Sequence, residues 1–451
     1  MRRVESAIAA IALAALGGCQ TYHARPLATE PNLAGATERL KVDPARLRVV
    51  PLRTIAVDPR DGFTPLEVAV LAVLNSPELE AQRRALGVSE AQVFAAGLLP
   101  DIALSGEYDQ PTAGPDRQQA YILGASFDVA ALLARANARR AAKASARQVD
   151  LDLLWSEWTL AQQARQLAET ALSAERKAVY FRQISAIAAE RDMRSKAALA
   201  NHDVTLQTSS ADLALKLDAQ SQLAAAEHDA FAARRDLNGL LGLKADVVVP
   251  LTQDLSDASY DQEAVRRSIA SLAKRRPDLL ALQAGYDAQD ANVRKAIIAQ
   301  FPLTSLALNF ASDPAGTVTR GLSASLFLPI FNGGRGEVKV QLATREQLRA
   351  EYQAKLDAAD VEAGSAQTDL RNARRLAQAL GAEAPRLESL VKPALSAYER
   401  RDVDSQAYLS ITQAALSHRA DVDDKELAAR LAEITLETAL FLPPAAARAQ
   451  P

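Results

Sequence analysis

Few side chains in this chain of 451 residues are typed and spaced for chemistry, and the clearest is its single cysteine. Cys19 closes the tetrapeptide Leu16-Gly17-Gly18-Cys19, which resembles a lipobox: small residues admit a peptidase, and the sulfur accepts a diacylglyceryl group. Arg2 and Arg3 form a basic start and Ile8 to Leu16 a short apolar core, so residues 1–18 read as a signal peptide. That core is too short to span a bilayer. Cys19 is thus the expected lipidation site. Gln20, rather than Asp, at the second mature position fits a lipoprotein released to an outer membrane, whose lipid would then be a partner. An ordinary signal peptide with a chance cysteine is the plain alternative.

No other grouping points to catalysis. His23, His202, His228 and His418 never fall at metal-ligand spacing, so neither a metal centre nor a cofactor is expected, and a lone cysteine forms no internal disulfide. Ser-His-Asp triples can be picked from the chain, yet none sits in a nucleophile elbow. Asn332-Gly333-Gly334-Arg335-Gly336 lacks the lysine and spacing of a phosphate loop and reads as a strand end followed by a helix start. Lys+Arg 52 against Asp+Glu 55 leaves no basic excess for nucleic acid. Charge runs such as Arg139-Arg140 and Asp421 to Asp424 read as solvated faces. The function expected is not enzymatic.

The elements that position these residues form two copies of one plan. Residues 19–63 carry scattered prolines without a sustained period and are expected to be a lipid-anchored extended tether. The first repeat spans 64–262, the second 263–442, and 443–451 is a tail. Asn75-Ser76-Pro77-Glu78-Leu79 and Arg276-Pro277-Asp278-Leu279-Leu280 each open a helix. An alternating segment follows in each copy. Leu104, Tyr108, Leu123 and Phe127 alternate with small or polar residues in the first, and Leu306, Leu308, Phe310, Leu322 and Leu326 do so in the second. Each copy therefore supplies one β-hairpin. Long helical sequence comes next: no glycine or proline occurs between Gly124 and Gly239, enough for two antiparallel helices of about 50 residues and roughly 75 Å each. In the second copy the runs from Gly336 to Leu380 and from Ala394 to Leu442 play that part, with Pro385 and Pro393 at the join.

Four amphipathic strands cannot close a barrel alone, and a lipid-exposed edge leaves backbone groups unpaired at several kcal/mol each. Three copies would supply about twelve strands. With Leu237-Asn238-Gly239-Leu240-Leu241-Gly242 and Leu328-Pro329-Ile330-Phe331-Asn332-Gly333-Gly334-Arg335, the duplicated plan resembles the TolC-like outer membrane efflux proteins, lipoprotein type, over about residues 64 to 441. The resemblance implies a mainly α fold with a small transmembrane β part, assembled as a homotrimeric α/β barrel in the outer membrane of a Gram-negative bacterium. It implies a passive conduit of a tripartite efflux or type I secretion system, with a periplasmic adaptor (membrane fusion) protein and an inner-membrane pump as partners. A lipid-anchored periplasmic coiled-coil adaptor or scaffold is the alternative.

The hairpin tips are expected at Arg191-Asp192-Met193-Arg194-Ser195 and Arg401-Asp402-Val403-Asp404-Ser405, where Asp tolerates a left-handed turn. Asp192, Met193, Arg194, Ser195, Asp402, Val403, Asp404 and Ser405 are the candidate adaptor-docking residues; a plain helix reversal stays equally open. The family carries glycine at such tips, where this chain has Asp192 and Asp402. Ala407-Tyr408-Leu409-Ser410 holds none of the acidic side chains with which some members close the periplasmic end. Arg400, Arg401 and Asp404 are left as candidates for a periplasmic constriction.

Overall fold

The computed structural model describes residues 22–58, 60–113, 118–253, 261–327 and 330–444. The expected signal peptide, Cys19, Leu328-Pro329 and most of the tail lie outside them.

Helix α1 (Pro65–Asn75) starts at a capping box in which Thr64 and Glu67 satisfy each other's backbone N–H, with Pro65 pre-set for the first turn. Its residues through Leu74 are all buried, as an apolar-all-round helix must be. α2 (Pro77–Gly97) leads into strands β1 (Ala103–Asp109) and β2 (Ala120–Asp128). Asp128 caps α3 (Val129–Ala200) by accepting from Ala131 N at 2.7 Å, so strand passes into helix without a linker. After α3 come α4 (Leu206–Leu240), α5 (Gln262–Ala270), the short α6 (Leu272–Arg275) and α7 (Pro277–Ile298). Strands β3 (Leu303–Ser312) and β4 (Val318–Leu326) then precede α8 (Arg335–Glu399) and α9 (Ser405–Leu440). Gly333 and Gly334 take positive φ just before Arg335, so the Asn-Gly-Gly-Arg-Gly stretch opens α8, as its composition implied.

The strands form one antiparallel sheet in the order β1-β2-β3-β4, and the helices repeat that order beneath it. α4 ends against the start of α2: Gly242, at φ 70°, sits against Asn75 O and Pro77, too close to admit a larger residue. α9 likewise ends against the start of α7, where Arg276 Nη1 donates to Ala439 O at 3.2 Å. Each repeat is therefore one continuous helix beside a stacked pair. The wall reads α2/α4, α3, α7/α9, α8 from edge to edge. A second layer of α1 with residues 33–63 and 243–251 packs onto α3 through Leu153, Trp158, Ala161 and Ala164.

Four expectations need correction. Residues 33–63 are not an extended tether: Leu47, Val49 and Leu52 are almost completely buried, and Phe63 N donates to Pro250 O at 2.7 Å. The long helices are unequal, 72 and 35 residues in the first repeat and 65 and 36 in the second. α8 runs through Pro385 and Pro393 instead of ending between its two expected runs. A proline costs a helix one hydrogen bond and some steric strain, and here Ala384 and Ala394 remain buried at the seam that holds the helix in place. Finally, Arg191 to Ser195 is no turn. α3 continues through it to Ala200, and the first reversal comes at 201–205.

Candidate functional site

The sheet is the first candidate region. Its register places Leu104, Ala125, Leu308 and Leu322 in one cross-strand row, and Leu123, Phe310 and Arg320 in a neighbouring row on the same face. Tyr121 and Phe310 meet there with ring centroids 6.1 Å apart, and Arg320 lies over the Phe310 ring at 5.6 Å. The intervening rows point to the other face: Ser105, Gly124, Asn309 and Gly321, then Ala103, Ser126, Ala307 and Ser323. Asn309 Nδ2 donates to Ser323 Oγ at 2.9 Å on that face. A Cβ at Gly124 would stand 2.5 Å from Ser105 Oγ, so a side chain there would have to displace that hydroxyl. One face is apolar and the other, apart from Ile122 and Glu107, small and polar. The apolar face is left uncovered, with Leu308 66% and Leu322 73% exposed. Among the described residues no strand lies beyond β1 or β4.

The second region is the far end of the long helices. In the first hairpin Asn201, His202 and Asp203 close α3 with N–H groups donating back to Ala197, Leu199 and Ala198, and His202 adopts φ 63°. Thr205 then caps α4. In the second, Arg400, Arg401 and Asp402 donate back to Ser396, Tyr398 and Ala397, Arg401 adopts φ 65°, and Asp404 caps α9 by accepting from Ala407 N at 2.7 Å. The two reversals are the same motif, a left-handed residue closing the helix, with His or Arg where glycine is ordinary. The equivalent stretches are His202-Asp203-Val204-Thr205 and Arg401-Asp402-Val403-Asp404. Arg400 Nε bonds Asp402 Oδ2 at 2.9 Å, so one candidate for the constriction is tied to a neighbour in its own turn.

The residues expected at the first tip lie on α3 before the turn and do different work. Asp192 and Ser195 are buried, while Met193 is 64% exposed. Lys196 and Lys216 donate to Asp192 Oδ2 at 2.8 and 2.9 Å, and these bonds hold its carboxyl below the ordinary aspartate range. Arg191 Nη2 bonds Asp212 Oδ1 at 2.9 Å on α4, while its Nη1 reaches Ser410 Oγ at 3.0 Å on α9. Arg194 Nη1 donates to Tyr398 OH at 2.7 Å on α8, and Tyr398 stacks on Tyr408 at 5.4 Å. Arg191 and Arg194 therefore bridge the two hairpins. Sequence reading missed Tyr398, Tyr408, Asp212 and Ser410, which share no motif with the arginines.

Among the described residues no group of three His, Cys, Asp or Glu could hold a metal ion, and no helix is long and apolar enough to cross a membrane. No protein-family model matches the chain. Over 181 residues, 38% of each chain, it is 28% identical to the outer membrane protein OprJ of Pseudomonas aeruginosa. Solved structures align over nearly the whole length. With CusC, described in terms of transmembrane channel formation, the TM-score is 0.68 at 16% identity, covering 92% of this chain and 98% of that one. With the outer membrane channel CmeC of Campylobacter jejuni it is 0.67 at 14% identity, covering 93% and 94%. The mainly helical wall with its small antiparallel sheet is the TolC-like outer membrane factor fold.

Proposed function

We propose that the protein is the outer-membrane conduit of a tripartite export assembly, passive in itself and driven by an inner-membrane pump through a periplasmic adaptor. The observation that carries this reading is the sheet: apolar on one face, small and polar on the other, and open at both edges. Such a sheet is stable in lipid only when another copy satisfies each edge. Because helix order follows strand order, the β1–α2/α4 edge of one copy meets the β4–α8 edge of the next. That is a head-to-tail contact, which closes into a ring. Three copies give about twelve strands, a size that leaves a lumen lined by the Ser-Gly-Asn rows.

The adaptor would meet the ends of the hairpins at His202–Thr205 and Arg400–Asp404, while Arg400, Arg401 and Asp404 would narrow the tube where the copies converge. Cys19 would carry the lipid anchor. The folded segment from residue 33 onward then ties that anchor to the wall.

The test is the native mass of the detergent-solubilised protein and its conductance in a planar bilayer. A trimer that conducts ions supports the reading; a stable monomer without conductance refutes it and favours the scaffold. Labelling with radioactive palmitate tests the anchor separately, and labelling that persists in Cys19→Ser removes that part.

A further inference from the structure

Under the sheet, the outer surface of α3 carries a basic patch that the conduit does not explain. Leu133, Arg140, Lys143, Asp150, Leu154 and Trp158 follow one another along a single stripe of the helix, at multiples of three- and four-residue steps. The lower part of that stripe is covered by the second layer: Trp158 is buried in its core, Leu154 packs against it, and Asp150 pairs with Arg48. A layer of that size cannot lie inside a conduit, so the stripe faces outward. Its upper part is uncovered. Leu132 and Leu133 are 39% and 43% exposed, and Arg139, Arg140 and Lys143 are all exposed. Among the described residues none of these three has an acidic partner. In the corresponding zone of the second repeat the arginines have acidic partners instead, Arg294 and Arg345 on Asp290 and Arg349 near Glu346.

Depth decides what the patch meets. The apolar rows from Tyr121 to Phe127 cover about 20 Å of strand, hence about 15 Å of bilayer at a tilt of roughly 40°. An apolar band of about 25 Å therefore extends some 10 Å below the strands, past Leu132 and Leu133. At about 1.5 Å per residue, Arg139 and Arg140 stand about 17 Å below the strand end and Lys143 about 22 Å. Helical side chains lean toward the helix N-terminus, which for α3 is the membrane end, so all three reach upward.

We infer that Arg139, Arg140 and Lys143 bind anionic phospholipid headgroups of the periplasmic leaflet, an assignment that rests on the membrane placement of the sheet. Two exposed leucines above three unpaired cations complement a phosphatidylglycerol molecule, acyl chain above and phosphate below. Arg139, lying beside Gly97 at the end of α2, extends the patch toward the edge of the protomer.

The experiment uses delipidated full-length protein in detergent, titrated with dioleoylphosphatidylglycerol or with zwitterionic dioleoylphosphatidylethanolamine and read by native mass spectrometry. The wild type should retain the anionic lipid preferentially, and R139Q/R140Q/K143Q should lose that preference by about fivefold per charge removed. R266Q/R267Q, exposed cations on α5, should leave it unchanged. Millimolar inorganic phosphate should not compete, since the leucines give it nothing to bind. A preference that survives the triple substitution, that falls equally in R266Q/R267Q, or that free phosphate abolishes overturns the assignment. Conductance separates this from the channel itself: the triple variant should conduct as the wild type does, and a non-conducting wild type would sink the channel reading along with this one.

Discussion

The two helical hairpins of the chain have the same kind of turn and differ in how their helices are held. In the first, α3 runs 72 residues without a proline, and near its end the seam with α4 adds buried carboxylates to the apolar cluster of Ile184, Ala188 and Ala219: Asp192 pairs with Lys216 across it, and Asp212 with Arg191. In the second, α8 carries Pro385 and Pro393, and beside them its seam with α9 buries only apolar side chains, Ala384, Ala394, Leu409 and Ala415, while the ion pair across it, Arg419 with Glu388, is exposed. Buried ion pairs fix a register, whereas small apolar contacts permit sliding. A helix missing two backbone hydrogen bonds also bends more easily. The first hairpin is thus the fixed post and the second the compliant one, joined by Arg191 and Arg194. A conduit that must open at its far end would move the second.

The sharpest way to break that contrast is to remove the shared arginine. Arg191→Ala leaves Asp212 buried with only a long contact to Gln406 at 3.5 Å, and should cost about 3 kcal/mol, read as a lower melting temperature. Hydrogen exchange should quicken on both sides of the first turn. Ala186→Pro, which gives the first hairpin a break like those of the second, should cost a similar ~3 kcal/mol. Pro385→Ala should do the reverse, slowing exchange around Gly381 as the missing bond is restored. Equal effects of proline in the two hairpins would erase the distinction between post and hinge.

Much of this architecture was legible because its periods are clean. Leu104, Leu123, Leu308 and Leu322 alternate with Ser105, Gly124, Asn309 and Gly321 because they stand on opposite faces of one sheet, so period and placement coincide. The tips were not legible in that way. A glycine normally marks the left-handed residue that ends a helix, and His202 and Arg401 carry that conformation without the marker. Arg191-Asp192 then matched Arg401-Asp402 by composition. The duplication itself held the answer: Pro77 and Pro277, Gly242 and Phe441, and His202 and Arg401 keep nearly one spacing, which Arg191 and Arg401 break. The segment with Leu47, Val49 and Leu52 hid for another reason. Its apolar residues plug the second layer singly, so they leave no period to read.

Smaller effects sharpen the comparison at the link and at the turns. Arg194→Ala removes the bond to Tyr398 and the cation–π contact at 5.7 Å between two half-exposed groups, so it should cost only about 1 kcal/mol. Its consequence for the proposed conduit is larger than its cost, because the compliant hairpin loses a tie to the fixed one. Conductance should rise while the melting temperature barely moves. The turns should respond alike. His202→Gly and Arg401→Gly each relieve a left-handed side chain at the expense of a more flexible unfolded chain, so each should shift stability by no more than about 1 kcal/mol.

The last difference is one of pH. Lys196 and Lys216 lower the folded-state value of Asp192 beneath the ordinary 3.8, so folding favours the ionised carboxylate. Stability from this source is fully present above pH 3.8 and is lost as pH falls through the lower folded value. The apolar seam buried around Ala394, Leu409 and Ala415 has no such dependence of its own. On acidification from neutrality, hydrogen exchange near Asp192 should stay slow until below pH 4 and then quicken ahead of the stretch around Ala415. Asp192→Asn should remove the lag between the two. If Asp192→Asn leaves that order intact, the charged seam is not what separates the hairpins, and the prolines alone must account for it.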